Sequence, residues 1–161
     1  MTLTRSLAGI TLAAGILALA PLATATAAHA AAPKPWGPYY AAGSKAKVSG
    51  SLTAAAKDDP SLPAPYVKVA GSVTSLTHKA STCGWALFRV SYFDAAKQPH
   101  LAYRNYRTCS YGAKVKFAFT VKNVGEVELK VCSETKAAKP SINCQYAGTW
   151  KTLYAYYNQG N

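Results

Sequence analysis

Four cysteines, two carboxylates on one strand and a run of interleaved tyrosines and arginines are the residues of this chain whose types and spacing can do chemistry. Cys83, Cys109, Cys132 and Cys144 form an even set. In an oxidising compartment such a set pairs into two disulfides and leaves no thiolate for catalysis or metal binding. Glu126 and Glu128 stand two apart, so a strand puts both on one face, roughly 5 to 7 Å apart, in the range used for glycoside hydrolysis. Lys122 and Lys130 are spaced to neutralise them, and structural ion pairs are the expectation. His78 and His100 each fall near a turn, with no second histidine at metal spacing. Asp58-Asp59-Pro60 has two carboxylates that calcium could use, but it lacks a defined loop spacing and reads as a solvated turn. No Gly-x-Ser-x-Gly elbow, Gly-rich phosphate loop or spare cysteine is present. The expectation is a protein that is not an enzyme, with no cofactor and no metal; a hydrolase using Glu126 and Glu128 is the alternative.

Aromatic residues point to binding. Eleven tyrosines and three tryptophans outnumber four phenylalanines. Flat rings with polar tips suit sugar, nucleobase and polymer surfaces. Tyr103-Arg104-Asn105-Tyr106-Arg107 interleaves rings with guanidinium groups, and Tyr111 follows. On a strand, Tyr103, Asn105 and Arg107 share one face and Arg104 and Tyr106 the other, so one face becomes an aromatic-basic patch for an anionic ligand. Tyr103, Arg104, Tyr106, Arg107 and Tyr111 are therefore the candidate binding residues, with Lys114 and Lys116 as neighbouring charge. An exposed Tyr154/Tyr156 pair on a C-terminal edge strand would extend the patch. Trp85, two residues after Cys83, is expected to pack on a disulfide. Trp36 is expected to be exposed or strapped across the domain.

The elements that position these groups read as strands behind an export leader. Residues 1–30 carry Arg5, an uncharged run from Leu7 to Leu22, and Ala28-His29-Ala30 before a cut after Ala30, the pattern of a signal peptide. Removing it leaves 131 residues, with 17 basic residues against six acids and a net charge of +11. Residues 31–44 form a Pro-rich extended arm, and residues 45–161 a single β domain. Strands are expected over 45–53, 66–77, 83–93 and 101–109, with Gly71 as a candidate bulge and 57–65 as a loop. Residues 113–133 read as a hairpin turning at Asn123-Val124-Gly125, with Lys122 facing Glu126. A hairpin closing over 94–98 sets Cys83 opposite Cys109, and one closing over 134–141 sets Cys132 opposite Cys144. These two disulfides are the preferred pairing among three. The sum is an antiparallel β-sandwich, immunoglobulin-like or similar, with a small barrel as the alternative.

The Ala/Leu leader, the Ala/Lys/Thr-rich body, Cys83-Gly84-Trp85 and Arg107-Thr108-Cys109-Ser110-Tyr111-Gly112 resemble small secreted actinobacterial β-domain proteins of unassigned function. Val67-Lys68-Val69-Ala70-Gly71 followed by Cys83-Gly84-Trp85 is also similar to the immunoglobulin-like apoproteins of enediyne chromoproteins, which implies a two-disulfide sandwich. The cysteine spacings of 26 and 12 residues and the strong basicity depart from that pattern. Long-range attraction to polyanions follows from the charge. The expected function is a secreted, extracellular binding module for an anionic polymer (wall polymer, acidic glycan or nucleic acid). A secreted effector or inhibitor that meets an acidic protein surface, through a loop such as 57–65, is the alternative. No membrane-spanning segment is expected after processing.

Overall fold

The computed structural model describes residues 31–158, and the leader expected over residues 1–30 lies outside them. Seven strands and one short helix follow in order: β1 (Lys34–Tyr40), β2 (Ala46–Ala54), β3 (Ala64–Ser75), β4 (Thr82–Phe93), β5 (Pro99–Thr108), β6 (Lys114–Thr135), α1 (Ile142–Tyr146) and β7 (Lys151–Ala155). Single 3-10 turns occupy Ala42–Ser44 and Tyr156–Asn158. Every strand pairing is antiparallel. All seven strands are hydrogen-bonded in one continuous order, β1-β2-β3-β6-β4-β5 with β7 on β6, and β6 divides it into two layers. β1, β2, β3 and the first half of β6 form the first sheet of the sandwich, and β5, β4, the second half of β6 and β7 form the second. The expected antiparallel β-sandwich is what forms, and the strands do not close into a barrel.

β6 corrects the hairpin expected over residues 113–133. It is one continuous strand of 22 residues. Residues 114–124 pair with β3, so Lys122 faces Tyr66 and Phe119 faces Val69. Residues 124–135 pair with β4, so Glu126 faces Ser91 and Leu129 faces Phe88. Asn123 has a left-handed φ of 49°, and the register with β4 slips between Ser91 and Tyr92. A turn and a bulge draw on the same residues, Asn and Gly, because both need an unusual backbone conformation. Here the extra residue bends the strand instead of reversing it and keeps Val124 fully buried. β6 thereby crosses from one sheet to the other.

The core between the sheets is built on alternating inward residues. Val48, Val67, Val69, Val73 and Phe117 come from the first sheet; Phe88, Val90, Val127 and Leu129 come from the second. Trp36, on the Pro-rich arm, is strapped across this core as part of edge strand β1 and is 9% exposed. Its indole lies 6.3 Å from the Phe117 ring and 6.3 Å from Phe88. Gly50 and Gly71 face each other across β2 and β3 in an unbroken register, so the bulge suggested at Gly71 is absent. A Cβ on Gly50 would come within 2.6 Å of the Trp36 ring, and one on Gly71 within 2.9 Å of Phe117. These glycines make room for rings.

A second, smaller core covers the outer face of the second sheet. Both expected disulfides form, Cys83–Cys109 and Cys132–Cys144. The β4–β5 register also matches the expected hairpin, with Gly84 opposite Thr108 and Phe93 opposite Pro99. The second bridge does not sit in a hairpin, because Cys144 lies on α1, whose N-terminus is capped by the Ser141 hydroxyl accepting from Cys144 N. That bridge ties the 136–150 segment over Cys83, Trp85 and Leu87, with Trp150 packed alongside. β4 is thus apolar on both faces because both faces are covered.

Candidate ligand-binding surface

The first sheet presents its outer face to solvent, and its register assembles that face in rows. Lys47, Thr74 and Lys114 lie side by side on β2, β3 and β6; below them come Ser49, Ser72 and Lys116. The next rows are Ser51, Ala70 and Ala118, then Thr53, Lys68 and Thr120, and finally Tyr66 beside Lys122. Neighbouring strands are about 4.8 Å apart, so the backbones of Lys47 and Lys114 are separated by roughly 10 Å. Lys68, Lys114, Lys116 and Lys122 are exposed and Lys47 is half-buried. Among the described residues no acidic residue shares the face. None of the five lysines makes an ion pair or a side-chain hydrogen bond among the described residues; Lys68 lies over the Tyr66 ring at 5.3 Å.

The acids are elsewhere, and all but Asp58 are engaged. Glu128 accepts from Arg89 Nε at 2.6 Å, an interaction that raises the Arg89 pKa above its ordinary value. Lys130 does not neutralise Glu126 or Glu128 as expected from spacing. It is 5% exposed and donates to the carbonyls of Gln145 (3.2 Å) and Ala147 (2.6 Å), and burial pushes its pKa down. Arg89 and Lys130 both lie over the Trp150 ring, at 4.8 and 4.9 Å. Glu126 accepts from the Thr152 hydroxyl, and Glu134 holds Ser141 through its backbone N–H and hydroxyl. Asp94 meets His100 at 2.8 Å, and that hydrogen bond lowers the Asp94 pKa. Asp59 accepts from the Ser61 backbone N–H and hydroxyl, which lowers its pKa and closes the expected turn. Among the described residues no three His, Cys, Asp or Glu side chains converge as a metal site would require.

The residues singled out on β5 divide between its two sides. Tyr103 and Arg107 face outward with Asn105, opposite Arg89 and Trp85 of β4; Tyr103 is exposed, and Arg107 lies 5.4 Å over the Trp85 ring. Arg104 and Tyr106 face the core side. Tyr106 stacks on Phe117 at 4.7 Å, and its pKa is raised by burial and lowered in smaller part by Arg104. Arg104 covers Phe119 at 5.4 Å. A hollow of about 350 Å³ joins Arg104 and Tyr92 to Thr120, Lys122 and Asn123, which places Arg104 next to the end of the lysine face. Tyr111 stands apart from both groups, stacked on His78 at 3.6 Å. Tyr154 and Tyr156 do not form an exposed pair: Tyr154 is 5% exposed because β7 slips register against Val127 and Glu128, and Tyr156 is half-buried.

Lys114 and Lys116 were legible as outward residues from the alternation of β6. Lys47 and Lys68 join them only through the strand order, which no local pattern carries. Among the described residues no helix is long and apolar enough to cross a membrane. No family model matches the chain, and neither the curated proteins nor the solved structures contain a match.

Proposed function

We propose that the protein is an exported, non-enzymatic module that holds an anionic extracellular polymer, and that the polymer lies across the outer face of the first sheet. The carrying observation is that five lysines share this face without a carboxylate among them. Unpaired ammonium groups among small Ser, Thr and Ala side chains give an extended polyanion a flat, cationic track. Arg104, across the β6 edge from Lys122, lengthens the track. Two disulfides agree with a life in an oxidising compartment.

The test is retention on heparin, single-stranded DNA and wall polymer across a salt series. Lys68→Ala with Lys116→Ala should release the protein at clearly lower salt, and Arg104→Ala with Arg107→Ala should have the smaller effect. Equal retention of the lysine variant and the parent would remove the proposal and turn the search to an acidic protein partner.

A further inference from the structure

A cleft of about 350 Å³ opens where the edge of the first sheet meets the edge of the second, far in character from the lysine face. Trp36, Leu52 and Ala54 of β1 and β2, and Leu153 and Tyr154 of β7, give it an apolar floor. Ala56, Lys57 and Pro60 of the following loop bound one side, and Lys34 bounds another. Among the described residues no carboxylate lines it.

Charge gives this apolar hollow a chemical sign. Lys34 stands two residues before Trp36, opposite Leu52, while Trp36 is opposite Gly50. Alternation therefore sends the Lys34 side chain to the same side of β1 as the indole, an unusual direction for a lysine in a sandwich edge. Lys34 is exposed and makes no ion pair among the described residues. Lys57 also lines the cleft, held by donating to the carbonyls of Pro60 (2.6 Å) and Tyr156 (3.2 Å).

We infer that this cleft binds a small amphiphilic carboxylate. Its apolar body covers Leu52, Ala54 and Leu153; its head is neutralised by Lys34, with the fixed Lys57 cation adding to the field. Uncharged and cationic amphiphiles of the same length fit the apolar floor but lack the head the site reads.

Isothermal titration calorimetry of the purified protein with octanoate, 1-octanol and octylamine tests this. Octanoate should bind saturably at one site, with octylamine at least tenfold weaker. Lys34→Ala, at an exposed position that leaves the fold intact, should weaken octanoate several-fold and leave 1-octanol unchanged. Ala56→Trp should close the mouth and abolish binding of octanoate. The inference is overturned if folded protein shows no saturable octanoate binding, if octylamine binds as tightly, or if Lys34→Ala binds octanoate like the parent. None of these residues belongs to the lysine face, so failure of either reading leaves the other standing.

Discussion

The outer faces of the two sheets carry similar numbers of charged groups and use them in opposite ways. On the second sheet, Arg89, Glu128 and Lys130 are tied to one another, to carbonyls or to the Trp150 ring, beneath a segment stitched down by Cys132–Cys144. On the first sheet, Lys47, Lys68, Lys114, Lys116 and Lys122 have neither cover nor carboxylate. Charge that is covered and satisfied stabilises the structure. Charge left unpaired and in register is available to something outside the chain. The contrast explains why net charge alone says little about where a partner would sit.

The contrast can be broken most sharply at its buried side. Trp85→Ala empties a site that is 1% exposed beneath the 136–150 segment, and should cost about 3 to 5 kcal/mol; urea denaturation reads it as a lower midpoint. Replacing Cys132 and Cys144 together by serine frees the segment and should cost about 2 to 3 kcal/mol, the range for a short closed loop. Loss of Trp150 fluorescence anisotropy would follow locally. A midpoint equal to the parent's in either variant would mean that the covered face is decoration. On the bare side, Lys68→Ala with Lys116→Ala should move the same midpoint by no more than about 0.5 kcal/mol. The slope of log affinity against log salt on single-stranded DNA should meanwhile fall by about 0.7 for each lysine that contacts a phosphate. A large stability change there would show that the lysines are structural after all.

The smallest effect belongs to the exposed Asp94–His100 pair. Asp94 titrates below its ordinary value of 3.8 because His100 hydrogen-bonds its carboxylate. A depressed folded-state pKa contributes stability above the unfolded value, which is lost as pH falls through the folded one. Carbon-13 NMR of the Asp94 carboxyl should therefore show a midpoint under 3.8, returning upward in His100→Ala. An unchanged midpoint would dissolve the pair.

Much of the fold was legible because local signals and long-range constraints agreed. Cys83 and Cys109 flank a turn at Asp94–Gln98, so one register satisfies both, and β4 and β5 adopt it. Around Asn123 only the local signal existed. Val115, Phe117, Phe119 and Val121 mirror Val127, Leu129 and Val131 well enough to pair with each other, yet each half has a partner elsewhere, β3 for one and β4 for the other. Val124, apolar in the middle of the supposed loop, was the residue that argued against a turn. Cys144 was correctly paired but wrongly placed on a strand, since five residues of helix show no periodicity and only Ser141 marks its start. The candidate residues of β5 were read with the right alternation; which alternate side meets solvent depended on Phe117 and Phe119 lying across the seam.

The bent strand β6 has a consequence for how the molecule opens. Its backbone carries the ladder to β3 over residues 114–124 and the ladder to β4 over residues 124–135, so both layers are anchored on the same strand. Slow hydrogen exchange at Phe117 and at Leu129 should then report the same global event, with one free energy and one denaturant dependence. That result would make the two layers a single cooperative unit, joined by one continuous strand as well as by the side chains packed between them.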